Sequence, residues 1–156
     1  MPVLARNKRA YFDYEITDKY ETGLVLFGHE VKSIKTGHCS LKAAFVTVKQ
    51  TDKILPELYL INAHIPPYAK ASQIVNYEPT RARKLLLHKN EIKHLLGKRK
   101  EQGLTLVPLK IYTKHGLIKL EFGIGRGKKK VDKRAAIKKR EVDRQIRTLT
   151  KRILGT

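Results

Sequence analysis

The feature that most limits what this chain can fold into is its basic end. From Arg126 to Thr156, thirteen Lys or Arg stand against three acids, Asp132, Glu141 and Asp143, a net +10 that is half of the whole chain's +20. No aromatic residue follows Phe122. A stretch with so few bulky apolar groups and so much like charge buries too little surface to offset the entropy of ordering it, so this tail is expected to be disordered until something binds it. That leaves roughly 120 residues for one core and one domain. The expected division is a folded body over residues 1–125 and a basic tail over 126–156.

The tail points to its partner. A sequence pI near 10.2, with excess Lys and Arg in the body as well as the tail, suits nucleic acid first and an anionic membrane second. No run approaches the ~20 apolar residues of a spanning helix, and Met1 to Ala10 lacks the apolar centre of a secretory signal. The expected compartment is therefore the cytoplasm, where a lone Cys39, unable to form an intrachain disulfide, is a small buried filler.

Read in order, Tyr11 to Ile16 and Tyr20 to Phe27 have strand character, and Gly28 to Gly37 reads as a short helix with Gly37 as its left-handed stop. Leu41 to Lys49 and Leu58 to His64 make a hairpin with a longer loop. Thr80 is expected to cap a helix whose apolar face is Leu85, Ile92, Leu95 and Leu96, ended by Gly97 or Gly103. Arg81, Arg83 and Lys84 would then crowd its first turn, where cations oppose the helix dipole unless an anion offsets them. Leu104 to Tyr112 and Leu117 to Gly123 flank Lys114-His115-Gly116 as a second hairpin, with Pro108 marking a bulge or an edge. About six short strands and two or three helices without regular β-α alternation predict a mainly β fold, a small antiparallel barrel of the OB-like kind.

Enzyme chemistry finds no foothold. Gly123-Ile-Gly-Arg-Gly-Lys128 fails the phosphate-loop pattern on glycine spacing, and Lys129 stands where Ser or Thr is needed. The six histidines are scattered without ligand spacing, and no carboxylate cluster suggests a two-metal nuclease. No cofactor or metal is expected. Binding modules remain. A generic ribosome-associated or single-strand RNA-binding protein would share the charge but lean on exposed aromatic platforms, which this chain has few of. A membrane-surface helix would use the stripe Val142, Ile146, Leu149 and Ile153, which has no Trp or Phe anchor.

Five stretches taken together carry a resemblance. Asn7-Lys8-Arg9-Ala10, Gly28-His29-Glu30-Val31-Lys32-Ser33, Pro79 to Leu87, Thr105 to Leu109 and Gly125 to Arg134 resemble, in order and spacing, the bacterial SsrA-binding protein (small protein B) family. The resemblance implies a closed Greek-key barrel and a non-enzymatic, monomeric partner of transfer-messenger RNA in trans-translation, the rescue of stalled ribosomes. It places the grip on the tRNA-like domain at Asn7, Glu21 and Leu86, with Lys8, Arg9, Arg81, Arg83 and Lys84 supplying charge. Contact with small-subunit RNA at the decoding centre falls on Gly127, Lys128, Lys129, Asp132, Lys133, Arg134 and Ile137, beside Arg126 and Lys130. Alanyl-tRNA synthetase and elongation factor Tu would be met only through the RNA. One position departs from the family, Val131 standing where His or Tyr is frequent; valine offers packing but no stacking, so either a neighbour compensates or the tail binds differently.

Overall fold

The structure, a computed structural model, describes residues 2–70, 76–99 and 104–153, the side chains of Arg99, Lys130, Val131 and Asp132 excepted. Its centre is the hairpin of β6 (Leu104–Lys114) and β7 (Leu117–Gly127), turned by His115 and Gly116 at φ 51° and 76°. Two successive positive φ values make the tight turn whose twist matches the strands it joins. Alternation then sorts the hairpin's side chains. Ile118, Leu120, Phe122 and Ile124 point into the core, while Lys119 and Glu121 point out.

Around this hairpin runs one antiparallel sheet of seven strands in the order β1-β6-β7-β2-β5-β4-β3. The remaining strands are β1 (Val3–Arg6), β2 (Tyr14–Leu24), β3 (Phe45–Lys49), β4 (Glu57–Ile61) and β5 (Arg83–Leu86). Four helices accompany them: α1 (Ala10–Asp13), α2 (Gly28–Lys35), α3 (Lys89–Arg99) and α4 (Lys130–Ile153). Ile34 of α2 and Leu95 of α3 drop into the same core as Leu58, Leu60, Ile111 and Phe122. Cys39 packs partly buried against that core, and burial pushes its thiol up to about 11.

The sheet is open, so the expected closed OB-like barrel is not what the hydrogen bonds make. β1 and β3 are its two ends. β3 comes up beside β6, but the edge of β6 is taken by β1 from Lys110 to Tyr112, and a cleft of about 290 Å³ between Phe45 and Thr105–Pro108 occupies the rest. Pro108 sits at a bulge, where the register with β7 shifts between Pro108 and Lys110, and on the stretch of β6 that β1 does not cover. Proline has no N–H to lose there.

Other expectations shift in identifiable ways. Tyr11 to Phe27 is a single turn of helix followed by one long strand, whose register slips between Ile16 and Asp18. Arg81 to Leu87 is not the start of a helix. Arg83 to Leu86 forms β5 between β2 and β4, and Thr80 hydrogen-bonds Glu78 instead of capping anything. Leucine-rich sequence favours helix locally, but pairing on both sides overrides that weak preference. Gly97 lies within α3, while Gly103, the other expected end of that helix, lies outside the described residues.

Two glycines of β7 are required by close approach rather than by turn geometry. A Cβ on Gly125 would stand 2.9 Å from the Glu15 carbonyl oxygen and 2.9 Å from the Ile16 side chain, and one on Gly123 would stand 2.7 Å from Ile16. Backbone on one side leaves little room to relax. Gly125→Ala is expected to destabilise the body by about 1–3 kcal/mol, seen as a lowered thermal midpoint; an unchanged midpoint would show that β2 gives way freely.

Candidate nucleic-acid interface

Because strand residues alternate faces, the register fixes which side chains share the outer surface of the sheet. Glu21 pairs with Glu121, and Glu121 with Lys110, which pairs in turn with Arg6. One step along, Gly23 pairs with Leu86 on one side and Lys119 on the other, and Lys119 with Tyr112. These two rows form a continuous outward face. Leu86 is 54% exposed there, an aliphatic side chain left in solvent on a short strand whose neighbour Leu85 is buried. Gly23 carries no side chain between Leu86 and Lys119, and Leu86 Cδ1 and Lys119 Nζ close over it, 3.5 and 3.9 Å from where a Cβ would stand.

Charge on this face is mixed but positive. Glu121 pairs with Lys19 at 3.8 Å and Lys110 at 3.4 Å. Glu21 accepts a hydrogen bond from the Tyr112 hydroxyl, and Lys114 Nζ approaches it at 3.2 Å. The tyrosine hydrogen bond, helped by Lys114, holds the Glu21 carboxyl below its ordinary range. Tyr112 itself is shifted up by burial and by that carboxylate, so it stays a donor. A carboxylate offers about four acceptor sites, and Glu21 keeps some of them turned to solvent.

Asn7 follows the last residue of β1 and lines the cleft between Phe45 and Thr105–Pro108. Its amide donates to the Pro108 carbonyl at 2.9 Å and its backbone N–H to Leu109 at 2.8 Å, so it pins the bulge while its side-chain oxygen remains for another donor. Lys8 and Arg9 follow in an exposed turn, where Arg9 meets Asp13 at 3.2 Å. Lys84 points outward from β5 and reaches Glu57 at 3.3 Å.

Arg83 does not belong to this surface. Its side chain is fully buried, with Nε and Nη2 on Glu30 at 2.8 and 2.7 Å, Nη1 on the Ala63 carbonyl at 2.6 Å, and further bonds to Pro79 and Tyr77. An inward-pointing strand position explains it. Arg81 also pairs with Glu30, lies over the Phe27 ring at 4.2 Å, and keeps only partial exposure. Burial alone would raise the Glu30 carboxyl, but hydrogen bonds from Arg81, the Phe27 N–H and Arg83 outweigh it and hold the group low. Two of the five resembling stretches, around Glu30 and around Arg83, are therefore joined inside the protein. Glu30 and Tyr77 gave no sequence signal of this; Lys110 and Lys119 could have been found from the alternation of their strands.

The tail starts on the body. β7 continues to Gly127, two residues past the expected boundary, with Arg126 near its end. Lys128 donates from its backbone to Asp13 at 2.8 Å and from Nζ to the Tyr11 carbonyl at 2.7 Å, and Lys133 meets the Asp13 carboxylate at 3.4 Å. Arg9 and Arg140 both lie at 5.2 Å from the Phe12 ring. Lys129, Arg134 and Ile137 are exposed; the side chains of Lys130, Val131 and Asp132 lie outside the described residues.

Among the described residues no cluster of His, Cys, Asp and Glu fit to hold a metal occurs, and no helix is long and apolar enough to cross a membrane. The family model described as "SmpB protein" matches residues 4–152. An SsrA-binding protein of Geobacillus kaustophilus (strain HTA426) is 50% identical over 144 residues, covering 92% of this chain and 89% of that one. One from Sulfurihydrogenibium sp. (strain YO3AOP1) is 48% identical over 144 residues, covering 92% and 91%. A chain in a solved structure, described as "tmRNA-SmpB: a journey to the center of the bacterial ribosome", is 45% identical with a TM-score of 0.64, covering 88% of this chain and 95% of that one.

Proposed function

This chain belongs to the SmpB protein family, and we propose that it binds the tRNA-like domain of transfer-messenger RNA and brings that RNA to stalled ribosomes in the cytoplasm. The observation that carries this reading is the outer sheet face, where an exposed Leu86 and a partly free Glu21 carboxylate sit among Lys84, Lys110, Lys114 and Lys119. Lysines on such a face hold phosphates and set register, while Leu86 packs on an unstacked base. Glu21 does something phosphates cannot ask of it: it accepts from base amino or imino groups, with Tyr112 fixing its geometry.

Arg126 to Ile137 would then face small-subunit RNA at the decoding centre, and alanyl-tRNA synthetase and elongation factor Tu would be reached through the bound RNA. Asn7, Lys8 and Arg9 add contacts in the segment that follows β1. Arg81 contributes through its partial exposure, and Arg83 is withdrawn from the contact set.

The test compares two variants on two RNAs. Glu21→Ala is expected to weaken binding to the tRNA-like domain by about tenfold or more while barely changing affinity for an unrelated stem-loop. Lys8→Ala should weaken both alike. Equal losses for both variants on both RNAs would remove the base-reading role of Glu21 and with it the specificity of this face.

A further inference from the structure

Beside Leu86 the sheet face drops into a groove of about 720 Å³. One wall is the loop before β4, with Ile54, Leu55 and Pro56; the other is Leu86 and Leu87 of the β5 segment and Ile92 of α3. Ile54 is completely exposed, an isoleucine that contributes nothing to the core and stands at the lip of an apolar hollow. Four lysines rim it: Lys53, Lys84, Lys89 and Lys93. Among the described residues the one acid lining it is Glu57, and that carboxylate is already shared by Lys84 at 3.3 Å and Lys53 at 3.6 Å. Lys89 and Lys93, four apart on one side of α3, are in no ion pair among the described residues.

We infer that this groove receives an unstacked nucleobase from a single-stranded loop of the bound RNA, with the flanking phosphates held by the lysine rim. The inference rests on the RNA-binding reading above. An apolar hollow with cations on its rim and a saturated acid fits a group that is flat and apolar at its centre and anionic on either side, which is a nucleotide in a loop. Leu86 and Lys84 belong both to the groove and to the outer face, so one RNA strand can cross from one to the other without leaving the protein. A second copy of this chain would bring like charge to the same rim.

The experiment uses the full chain and a labelled transcript of the tRNA-like domain. Ile54→Ser, a neutral change at a fully exposed position, should leave the thermal midpoint unchanged and weaken binding about fivefold, while Ile54→Leu should bind as the parent does. Lys89→Ala with Lys93→Ala should flatten the slope of log K against log salt by about one to two. A benzophenone side chain placed at position 54 should cross-link to a loop nucleotide. Unchanged binding by Ile54→Ser, or cross-links confined to double-helical stems or to an acidic protein in a lysate, would overturn the groove assignment. Glu21→Ala run beside it separates the two ideas: if Glu21→Ala loses binding and Ile54→Ser does not, only the groove falls. If the parent chain shows no preference for the tRNA-like domain, the functional reading itself falls.

Discussion

Arg83→Ala is expected to lower the stability of the body by about 3–5 kcal/mol, the usual cost of removing one partner from a buried ion pair. The side chain is fully buried, and its loss would leave Arg81 as the remaining cation on the Glu30 carboxylate and the Ala63 carbonyl without its Arg83 donor. Because a domain of this size holds only about 5–15 kcal/mol in all, urea denaturation should show a large fall in midpoint. The pH dependence has a definite sign. The folded Glu30 carboxyl is held below its ordinary value of 4.5, so its contribution is present above that value and lost as the pH falls through the lowered one. Glu30→Gln should therefore be less stable than the parent at neutral pH and flatter in its acid dependence below about 4.5. An Arg83→Ala protein as stable as the parent but weak in RNA binding would return Arg83 to the surface role the sequence suggested.

That reversal shows where sequence reading reached its limit. The stretch Arg81 to Leu87 carries cations and leucines in a pattern that a helix and an inward–outward strand share over so few residues. Only pairing with β2 and β4 decides that Arg83 and Leu85 face the core while Lys84 and Leu86 face out. A buried arginine has no local signature, since its partner Glu30 stands 53 residues away. The second hairpin was legible because its alternation is long and His115-Gly116 is a strong turn. The helix at Gly28 was legible for a similar reason: Val31 and Ile34 keep helical spacing, and Gly37 closes it at φ 85°. Of the interface, Glu21 and Leu86 were named through a family likeness, while Tyr112 and Lys119 needed the sheet register to be seen as their neighbours.

The largest functional effect is expected from breaking the tail, Ala136→Pro. α4 runs from Lys130 to Ile153, roughly 36 Å at 1.5 Å per residue, long enough to lie along an RNA-lined channel. Among the described residues its contacts with the body come from its first three turns, through Lys133 on Asp13 and Arg140 on Phe12. Farther along, Val142, Ile146, Leu149 and Ile153 are 46–83% exposed, so little packing offsets the cost of holding seven net positive charges, ten Lys or Arg against three acids, on one rod. Such a helix is marginal in water and gains when phosphates neutralise it. The isolated peptide Gly125–Thr156 should accordingly give a coil-like circular dichroism spectrum, and tail amides in the full chain should exchange freely until ribosomes are added. Proline at position 136 removes a helical hydrogen bond and clashes with the preceding turn, at about 3 kcal/mol or more. It should leave binding of the tRNA-like domain within twofold of the parent, because the Glu21 and Leu86 face lies wholly in the sheet. Rescue of stalled ribosomes should fall at least tenfold, since about 3 kcal/mol exceeds two such factors. Normal rescue by Ala136→Pro, or a stably helical free peptide, would mean that the tail works without folding on RNA.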